Sequence, residues 1–313
     1  MSKKIATREA YGKTLAQLGL ENENIVVFDA DLSKSTKTAE FKKVCPDRFI
    51  NMGIAESNMM STAAGISTCG KIPFVSTFAV FATGRAFEQI RNSICYPKLN
   101  VKICATHAGL TVGEDGASHQ SVEDISLMRT LPNMTVICPS DAVETEEAVR
   151  FAASYNGPCY IRLGRSGVPV INDRPEYKFE MGKGVMLREG KDATIIATGI
   201  MVDAALEAYN ILSEEGIKAE VINIHTIKPI DKEIIIRSAR KTGIVITAEE
   251  HSIIGGLGSA VCEVLSENMP TPVVRVGIKD TFGESGKPAE LLKAYGLTAA
   301  DIAAAVKKGC SYK

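Results

Sequence analysis

The densest cluster of polar side chains in the sequence lies between His107 and His119. Two of the four histidines of the chain bound this segment, and Glu114 and Asp115 lie between them. The segment follows an apolar run that predicts a β-strand. Open α/β sheets bind ligands at the carboxyl ends of their parallel strands. Zinc is one candidate ligand, but the spacing matches no HExxH-type pattern. We therefore expect a polar site that handles hydroxyl groups or protons, with an ordinary surface loop as the alternative.

Glu56 opens a predicted helix over Ala55–Thr68 that consists largely of Ala, Met and other small or apolar residues. An isolated carboxylate in a first helical turn can simply complement the helix dipole. Because this helix is apolar or small on nearly every face, we expect it to be buried. A buried carboxylate needs a partner or a raised pKa, and such groups concentrate at functional sites. Glu56 is therefore a candidate functional residue.

Three further segments carry weaker signals. Arg165 follows a predicted strand beside glycines, where a guanidinium group can bind phosphate or carboxylate. Phe78 and Phe81 are three residues apart, a spacing that by itself predicts core packing. The glycines at 255–258 follow a strand and open a helix, as in dinucleotide-binding loops. Because Val261 occupies the position of the third glycine, we expect a structural turn there instead.

Candidate functional side chains from separate segments can meet only if regular secondary structure positions them. Short apolar, β-branched runs alternate with helical patterns, which predicts an α/β fold of two consecutive parallel-sheet domains with helices on both faces. A segment rich in Pro, Gly and charge at 166–189 predicts a linker between a domain over 1–165 and a smaller one over 190–313. The predicted strands are Ile25–Asp29, Ile72–Phe78, Val101–His107, Thr135–Pro139, Cys159–Leu163, Thr194–Thr198, Ala219–Ile224, Ile244–Ala248 and Val273–Val276.

The composition excludes several classes of protein. The 313 residues include 36 basic and 37 acidic side chains, so the chain lacks the basic excess of nucleic-acid-binding proteins. No apolar run approaches the roughly 18 residues of a membrane span. The eight cysteines are scattered without a CxxC pair, which indicates reduced thiols in the cytoplasm. The composition thus predicts a soluble cytoplasmic protein and names no activity.

Four segments, taken in order, resemble the C-terminal half of transketolase, a family that depends on thiamine diphosphate. They are GIAE at 53–56, STFAVF at 76–81, THAGLTVGEDGASHQ at 106–120 and EEHSIIGGLGSAV at 249–261. The third segment is the most specific, because related thiamine diphosphate enzymes share the others. The resemblance covers the whole chain and implies a pyrimidine-binding domain followed by the C-terminal domain of the family.

The resemblance implies which residues hold the cofactor. Glu56 would hydrogen-bond a ring nitrogen of the aminopyrimidine and favour its imino tautomer, whose nitrogen would remove the thiazolium proton. Phe78 would stack on the aminopyrimidine, and Phe81 would line the same pocket. Gly84 occupies a position that is often Tyr in the family, which alters the pocket wall at that point.

The resemblance also implies a substrate and the residues that hold it. The reaction would transfer a two-carbon ketol unit from a ketose phosphate, or a related anionic sugar, to an aldose. His107 and His119 would bind hydroxyl groups of the donor and move protons during carbon–carbon cleavage. Asp115 would contact a sugar hydroxyl. The terminal phosphate of the sugar would be held by Arg8, Ser35 and Arg165.

One part of the family's active site has no counterpart in this sequence. The diphosphate-binding domain carries a GDG-type metal motif, whereas GEDG at 113–116 belongs to the substrate segment. The resemblance therefore implies a split transketolase whose N-terminal-half subunit supplies the diphosphate ligands and those of a divalent metal, Mg or Ca. We expect an α2β2 heterotetramer and no activity from this chain alone.

Other functions stay open at this point. A subunit like deoxyxylulose-phosphate synthase shares GIAE, but usually has an arginine-bearing sequence at His107. A subunit like the beta chain of 2-oxo acid dehydrogenases also lacks the diphosphate domain, but not normally with GEDGxxHQ. A non-catalytic scaffold subunit would not need Glu56, His107, Asp115 or His119. The sequence does not distinguish phosphorylated from sulfonated sugars.

Overall fold

The computed structural model describes residues 4–311, in which strands alternate with helices as the sequence predicts. The strands are β1 (Lys4–Ala6), β2 (Ile25–Asp29), β3 (Phe49–Asn51), β4 (Ile72–Ser76), β5 (Lys102–Ala105), β6 (Thr135–Ile137), β7 (Cys159–Arg162), β8 (Gly167–Pro169), β9 (Val185–Arg188), β10 (Ala193–Ala197), β11 (Ala219–Asn223), β12 (Thr226–Lys228), β13 (Val245–Ser252) and β14 (Val273–Ile278).

The helices lie between these strands or follow them. They are α1 (Thr7–Glu21), α2 (Ser33–Thr36), α3 (Ala39–Val44), α4 (Glu56–Ser67), α5 (Phe87–Gln89), α6 (Asp124–Thr130), α7 (Ala142–Ser154), α8 (Met201–Glu214), α9 (Lys232–Thr242), α10 (Leu257–Asn268), α11 (Pro288–Ala294) and α12 (Ala299–Cys310). None of the helices between residues 4 and 311 combines the length and the apolar character that a bilayer span requires.

The first large sheet has the strand order β12–β6–β7–β5–β4–β2–β3. All neighbouring strands in it are parallel except β12, which the C-terminal half contributes and which pairs antiparallel with β6. Side chains of β2 alternate between two cores. Ile25 and Val27 pack with α1 and α7, whereas Val26 and Phe28 pack with α4. Because both faces are covered, the strands are continuous apolar runs.

The second large sheet has the strand order β14–β13–β10–β11–β9 and is parallel except for β9. Ile195 of β10 faces a core that includes residues of α8 and α12, and Ile196 faces a core that includes residues of α9 and α10. These two sheets confirm the predicted α/β fold. Residues 166–189, expected as a linker, contain β8, which pairs with β1, and β9.

One predicted helix is irregular. The sequence predicts a helix over Arg85–Cys95, whereas the structure has a π-helical turn at Phe81–Arg85, the short α5 and a second π-helical turn at Ile90–Cys95. The first π-helical turn thus starts four residues before the predicted helix. This turn carries both Phe81 and Arg85, and π-helical turns frequently occur at functional sites.

Candidate active site

The predicted site residues converge at the carboxyl ends of three neighbouring strands in the first sheet. Phe78 follows β4, His107 follows β5 and Arg165 follows β7, and these strands are adjacent in the sheet. Parallel strands place their carboxyl ends at one edge of the sheet, which is where open α/β sheets bind ligands. Residues far apart in the sequence therefore meet at this edge.

His107 lies at the centre of the site and is only 3% exposed. Its ring stacks on Phe78 with 3.8 Å between the centroids, and its backbone has a φ of +57°. Nε2 lies 3.3 Å from Nη1 of Arg8, and Nδ1 lies 2.9 Å from the Thr106 hydroxyl. A guanidinium group only donates, so Nε2 accepts and Nδ1 carries the proton.

The charge state of His107 follows from this environment. Burial, together with the smaller effects of the Arg8 and Arg165 cations and of His119, lowers the pKa of His107 to about 3. His107 is therefore neutral at physiological pH. A neutral imidazole can hydrogen-bond a hydroxyl group, which suits the predicted hydroxyl-binding role.

The predicted anion-binding residues lie on two sides of His107. Arg8, in the first turn of α1, also donates to the backbone carbonyl of Ser35 at 2.9 Å. Burial lowers the pKa of Arg8. Arg165 donates to the Val112 carbonyl and lies 3.6 Å from the carboxylate of Asp115. The structure thus brings two guanidinium groups close to one imidazole, and Asp115 partly balances the charge of Arg165.

His119 completes the far side of the site. Its ring packs edge-on against Phe81 at 5.4 Å and against Phe78 at 6.4 Å. The two phenylalanine rings are stacked with 5.9 Å between centroids. Spacing alone predicts Phe78 and Phe81 as core residues, and Phe78 is indeed buried. Phe81 is only partly buried, and both rings line the site.

Glu56 is buried, as predicted, and its partner is a residue that the sequence reasoning missed. Glu56 is 1% exposed and forms an ion pair of 2.8 Å with Nη1 of Arg85. The Arg85 guanidinium carbon also lies 4.5 Å from the centroid of Phe81. The spacing of Phe81 and Arg85 along the chain gave no signal for this contact, because Glu56 lies 29 positions before Arg85.

The position of Arg85 tests whether a thiamine pyrimidine fits this site. A flat group with N–H donors lies between the buried carboxylate of Glu56 and the face of Phe81. An aminopyrimidine ring that shares a proton with Glu56 would make the same two contacts. The residues present therefore fit the aminopyrimidine end of thiamine diphosphate.

Two further expectations concern other ligands. The glycines at 255–258 form the expected structural turn: the N–H groups of Leu257 and Gly258, at the start of α10, donate to the carboxylate of Glu249 at 2.7 and 2.8 Å. An internal carboxylate thus occupies this helix N-terminus. Within residues 4–311, no three His, Cys, Asp or Glu side chains cluster as a metal site would require.

Family models match both halves of the chain. Residues 3–170 match the pyrimidine-binding domain of transketolase, and residues 182–302 match the transketolase C-terminal domain. A protein of Methanocaldococcus jannaschii named "Putative transketolase C-terminal section" is 55% identical over 298 residues, which are 95% of this chain and 93% of that protein.

Two other relatives are similar over nearly their whole length. A 6-deoxy-6-sulfo-D-fructose transketolase subunit of a Clostridium species is 45% identical over 295 residues, which are 94% of this chain and 91% of that protein. A solved structure, a split gene transketolase described as an inactive beta4 tetramer, has 64% identity and a TM-score of 0.92. It covers 98% of this chain and 99% of its own. The chain therefore belongs to the transketolase family.

Proposed function

We propose that this chain is the C-terminal subunit of a split, thiamine diphosphate-dependent transketolase. It transfers a two-carbon ketol unit between a ketose phosphate, or a related anionic sugar, and an aldose. The observation that carries the proposal is the convergence of a buried carboxylate, a partly open aromatic face and a neutral histidine flanked by guanidinium groups. This combination supplies both a cofactor subsite and an anionic-sugar subsite at one sheet edge.

The cofactor subsite consists of Glu56 and the two phenylalanines. Thiamine diphosphate, when bound, supplies the electron sink that allows the bond next to a carbonyl to break. Glu56 holds a proton at the pyrimidine ring nitrogen, and its burial excludes water from that proton. His107 covers one face of Phe78, whereas Arg85 covers the face of Phe81. We therefore assign stacking to Phe81 once Arg85 moves away, and pocket lining to Phe78, in place of the assignment implied by the family resemblance.

The sugar subsite consists of residues around His107. The neutral imidazole of His107 binds a donor hydroxyl, and His119 approaches the same substrate from the far side of the phenylalanines. Arg8 and Arg165 provide the positive charge that an anionic sugar requires, and Ser35 lies beside Arg8. Asp115 lies 3.6 Å from Arg165, and we assign it the binding of a sugar hydroxyl at this subsite.

The charge of the substrate is better defined than its identity. Phosphate and sulfonate are both tetrahedral oxyanions that a guanidinium group binds through two N–H donors. One relative is named as a subunit that acts on a sulfonated fructose. We therefore propose a phosphorylated or sulfonated ketose as the donor, and a panel of both kinds of sugar would separate them.

A partner subunit is part of this proposal. The site is open: Gly84, Arg85 and Asp115 are exposed, and so is Ile54, at 78%, two residues before Glu56. One relative is named a C-terminal section, and the solved relative is described as inactive in its beta4 form. We propose an N-terminal-half subunit that contributes the diphosphate and divalent-metal ligands in an α2β2 assembly in the cytoplasm.

The comparisons favour transketolase over the alternatives that the sequence leaves open. The family models are those of transketolase in both halves. The three relatives described above all carry transketolase names. A deoxyxylulose-phosphate synthase-like subunit, a 2-oxo acid dehydrogenase beta-like subunit and a pure scaffold are therefore less well supported.

Substitution of Glu56 tests the proposed chemistry. In the complex with the N-terminal-half subunit, Glu56→Gln removes the carboxylate and should lower kcat for ketol transfer by about 100-fold or more. Asn58→Ala, an exposed position in the same helix, is the matched control and should leave kcat unchanged. Wild-type turnover by an intact Glu56→Gln complex would refute the assigned role.

A further inference from the structure

The segment His107–Gln120, called the substrate loop below, contacts the C-terminal domain along much of its length. The Thr111 N–H donates to Oε1 of Glu250 at 2.7 Å. Further along the loop, the Gln120 amide donates to the carbonyl of Glu284, and Ser285 donates to the carbonyl of Glu114. The loop that carries the proposed sugar-binding residues is therefore supported by the other domain.

Glu250 is the buried member of this set of contacts. Its side chain is 3% exposed at the carboxyl half of β13. Gly109 lies directly over it: Gly109 has a φ of +80°, and a Cβ atom there would overlap the Glu250 carboxylate. The loop backbone can approach the carboxylate this closely only because residue 109 has no side chain.

Arg162 holds Glu250 in place from the first sheet. Its Nη2 donates to the Glu250 carbonyl at 2.9 Å, and its Nη1 lies 3.9 Å from the Glu250 carboxylate. Arg162 also forms a 2.8 Å ion pair with the fully buried Asp124. The carboxylates of Glu250 and Asp124 and the guanidinium group of Arg162 thus lie together in a region shielded from solvent. Charged groups in such a region need fixed partners to offset the cost of desolvation.

We propose that Glu250 is a positioning residue for the substrate loop and so for the sugar subsite. The hydrogen bond to Thr111 fixes the backbone between His107 and Val112, whose carbonyl accepts a hydrogen bond from Arg165. Glu250 thereby sets the distance between the imidazole and the guanidinium group without touching the sugar. This inference rests on the proposed function of the loop.

The preceding residue provides a matched control. Glu249 is equally buried on the same strand, and burial raises the pKa of both carboxyls to about 7. Glu249 accepts hydrogen bonds only within its own domain, from the first turn of α10. Loss of either carboxylate should therefore destabilise the chain, whereas only loss of Glu250 should release the loop.

The test compares Glu250→Ala with Glu249→Ala in the assembled complex. Glu250→Ala should increase hydrogen exchange of peptides covering 107–120 by about fivefold or more and raise the KM for the donor by about tenfold. Glu249→Ala should change neither quantity, although it lowers the melting temperature. Glu250→Gln keeps an acceptor oxygen for Thr111 and should restore most of the wild-type KM.

A second variant approaches the contact from the loop. Gly109→Ala introduces the overlapping Cβ atom and should reproduce the effect of Glu250→Ala on loop exchange and KM. Loop exchange in Glu250→Ala equal to that in Glu249→Ala would overturn the inference. Faster loop exchange with an unchanged KM would support the positioning role of Glu250 but contradict the proposed sugar-binding function of the loop. Failure of the positioning role can thus be distinguished from failure of the proposed function.

Discussion

The two parallel sheets of this chain differ in what lies at the carboxyl ends of their strands. In the first sheet, the residues after β4, β5 and β7 form a partly exposed site around His107. In the second sheet, the carboxyl end of β13 is closed by internal contacts: Glu249 binds the start of α10 and Glu250 binds the substrate loop. The strand ends of the first sheet thus form a ligand site, whereas a strand end of the second sheet holds the loop that contributes to this site.

A pair of histidines gives the sharpest test of this difference. His107 and His251 are both buried at strand ends, and burial lowers their pKa values to about 3 and about 4. His251 is held within the protein: Nδ1 donates to the Ser252 carbonyl at 2.7 Å, and Nε2 accepts from the Ser126 N–H at 3.3 Å. His107 should therefore serve the reaction, whereas His251 serves stability.

The two histidine variants should differ in their effect on catalysis. His107→Asn should lower kcat/KM of the assembled complex by about 100-fold, and it should also lower the melting temperature, because His107 is buried and hydrogen-bonded. His251→Asn should lower the melting temperature by several degrees, because it removes buried hydrogen bonds, while kcat/KM stays within about threefold. Equal effects of both variants on kcat/KM would contradict the claim that only the strand ends of the first sheet form the ligand site.

Arg165 should show a smaller effect, confined to binding of the anionic end of the sugar. Arg165→Ala should raise the KM for a phosphorylated or sulfonated donor by about tenfold or more, because it removes charge-assisted hydrogen bonds, with kcat nearly unchanged. Arg275→Ala is the control in the second sheet, where the guanidinium donates to the Ile253 carbonyl. An unchanged KM in Arg165→Ala would show that Arg165 does not contact the anion.

Substitution of Arg85 should have the smallest effect, and it should strengthen ligand binding instead of weakening it. Its guanidinium occupies the place proposed for the pyrimidine ring, so Arg85→Met should tighten thiamine diphosphate binding to the assembled complex by about threefold, as measured by calorimetry. Arg91→Met, at an exposed position in the following turn, should leave the affinity unchanged. Weaker cofactor binding in Arg85→Met would mean that Arg85 assists the cofactor rather than competing with it.

The sequence predicts the sheets well because their strands are buried on both faces. Continuous apolar runs such as Ile25–Asp29 are distinctive, and the predicted bounds match β2. The short strands β1, β3, β8 and β12 were missed because they have only three residues each, and β3 is largely exposed. The four-residue β9 was also missed, because it lies in the segment expected as a linker. A run of three residues has too little periodicity to indicate a strand.

The candidate site was only partly predictable for a different reason. The residues that share a distinctive segment, such as His107 and His119, were identifiable from residue type and spacing. Two contacts were not: Arg85 pairs with Glu56 across 29 positions, and Glu250 binds Thr111 across 139 positions. Such contacts depend on which strands are neighbours in space, and the spacing of residues along one segment carries no information about that.

Reconstitution with the N-terminal-half subunit is the most direct test of the central claim that this chain carries half of a transketolase site. We would measure ketol transfer from a ketose phosphate and from a ketose sulfonate, with thiamine diphosphate and magnesium, for each subunit alone and for their mixture. The account predicts no turnover by either subunit and turnover that saturates at an equimolar ratio. Turnover by this chain alone, or an inactive mixture that has assembled, would contradict it.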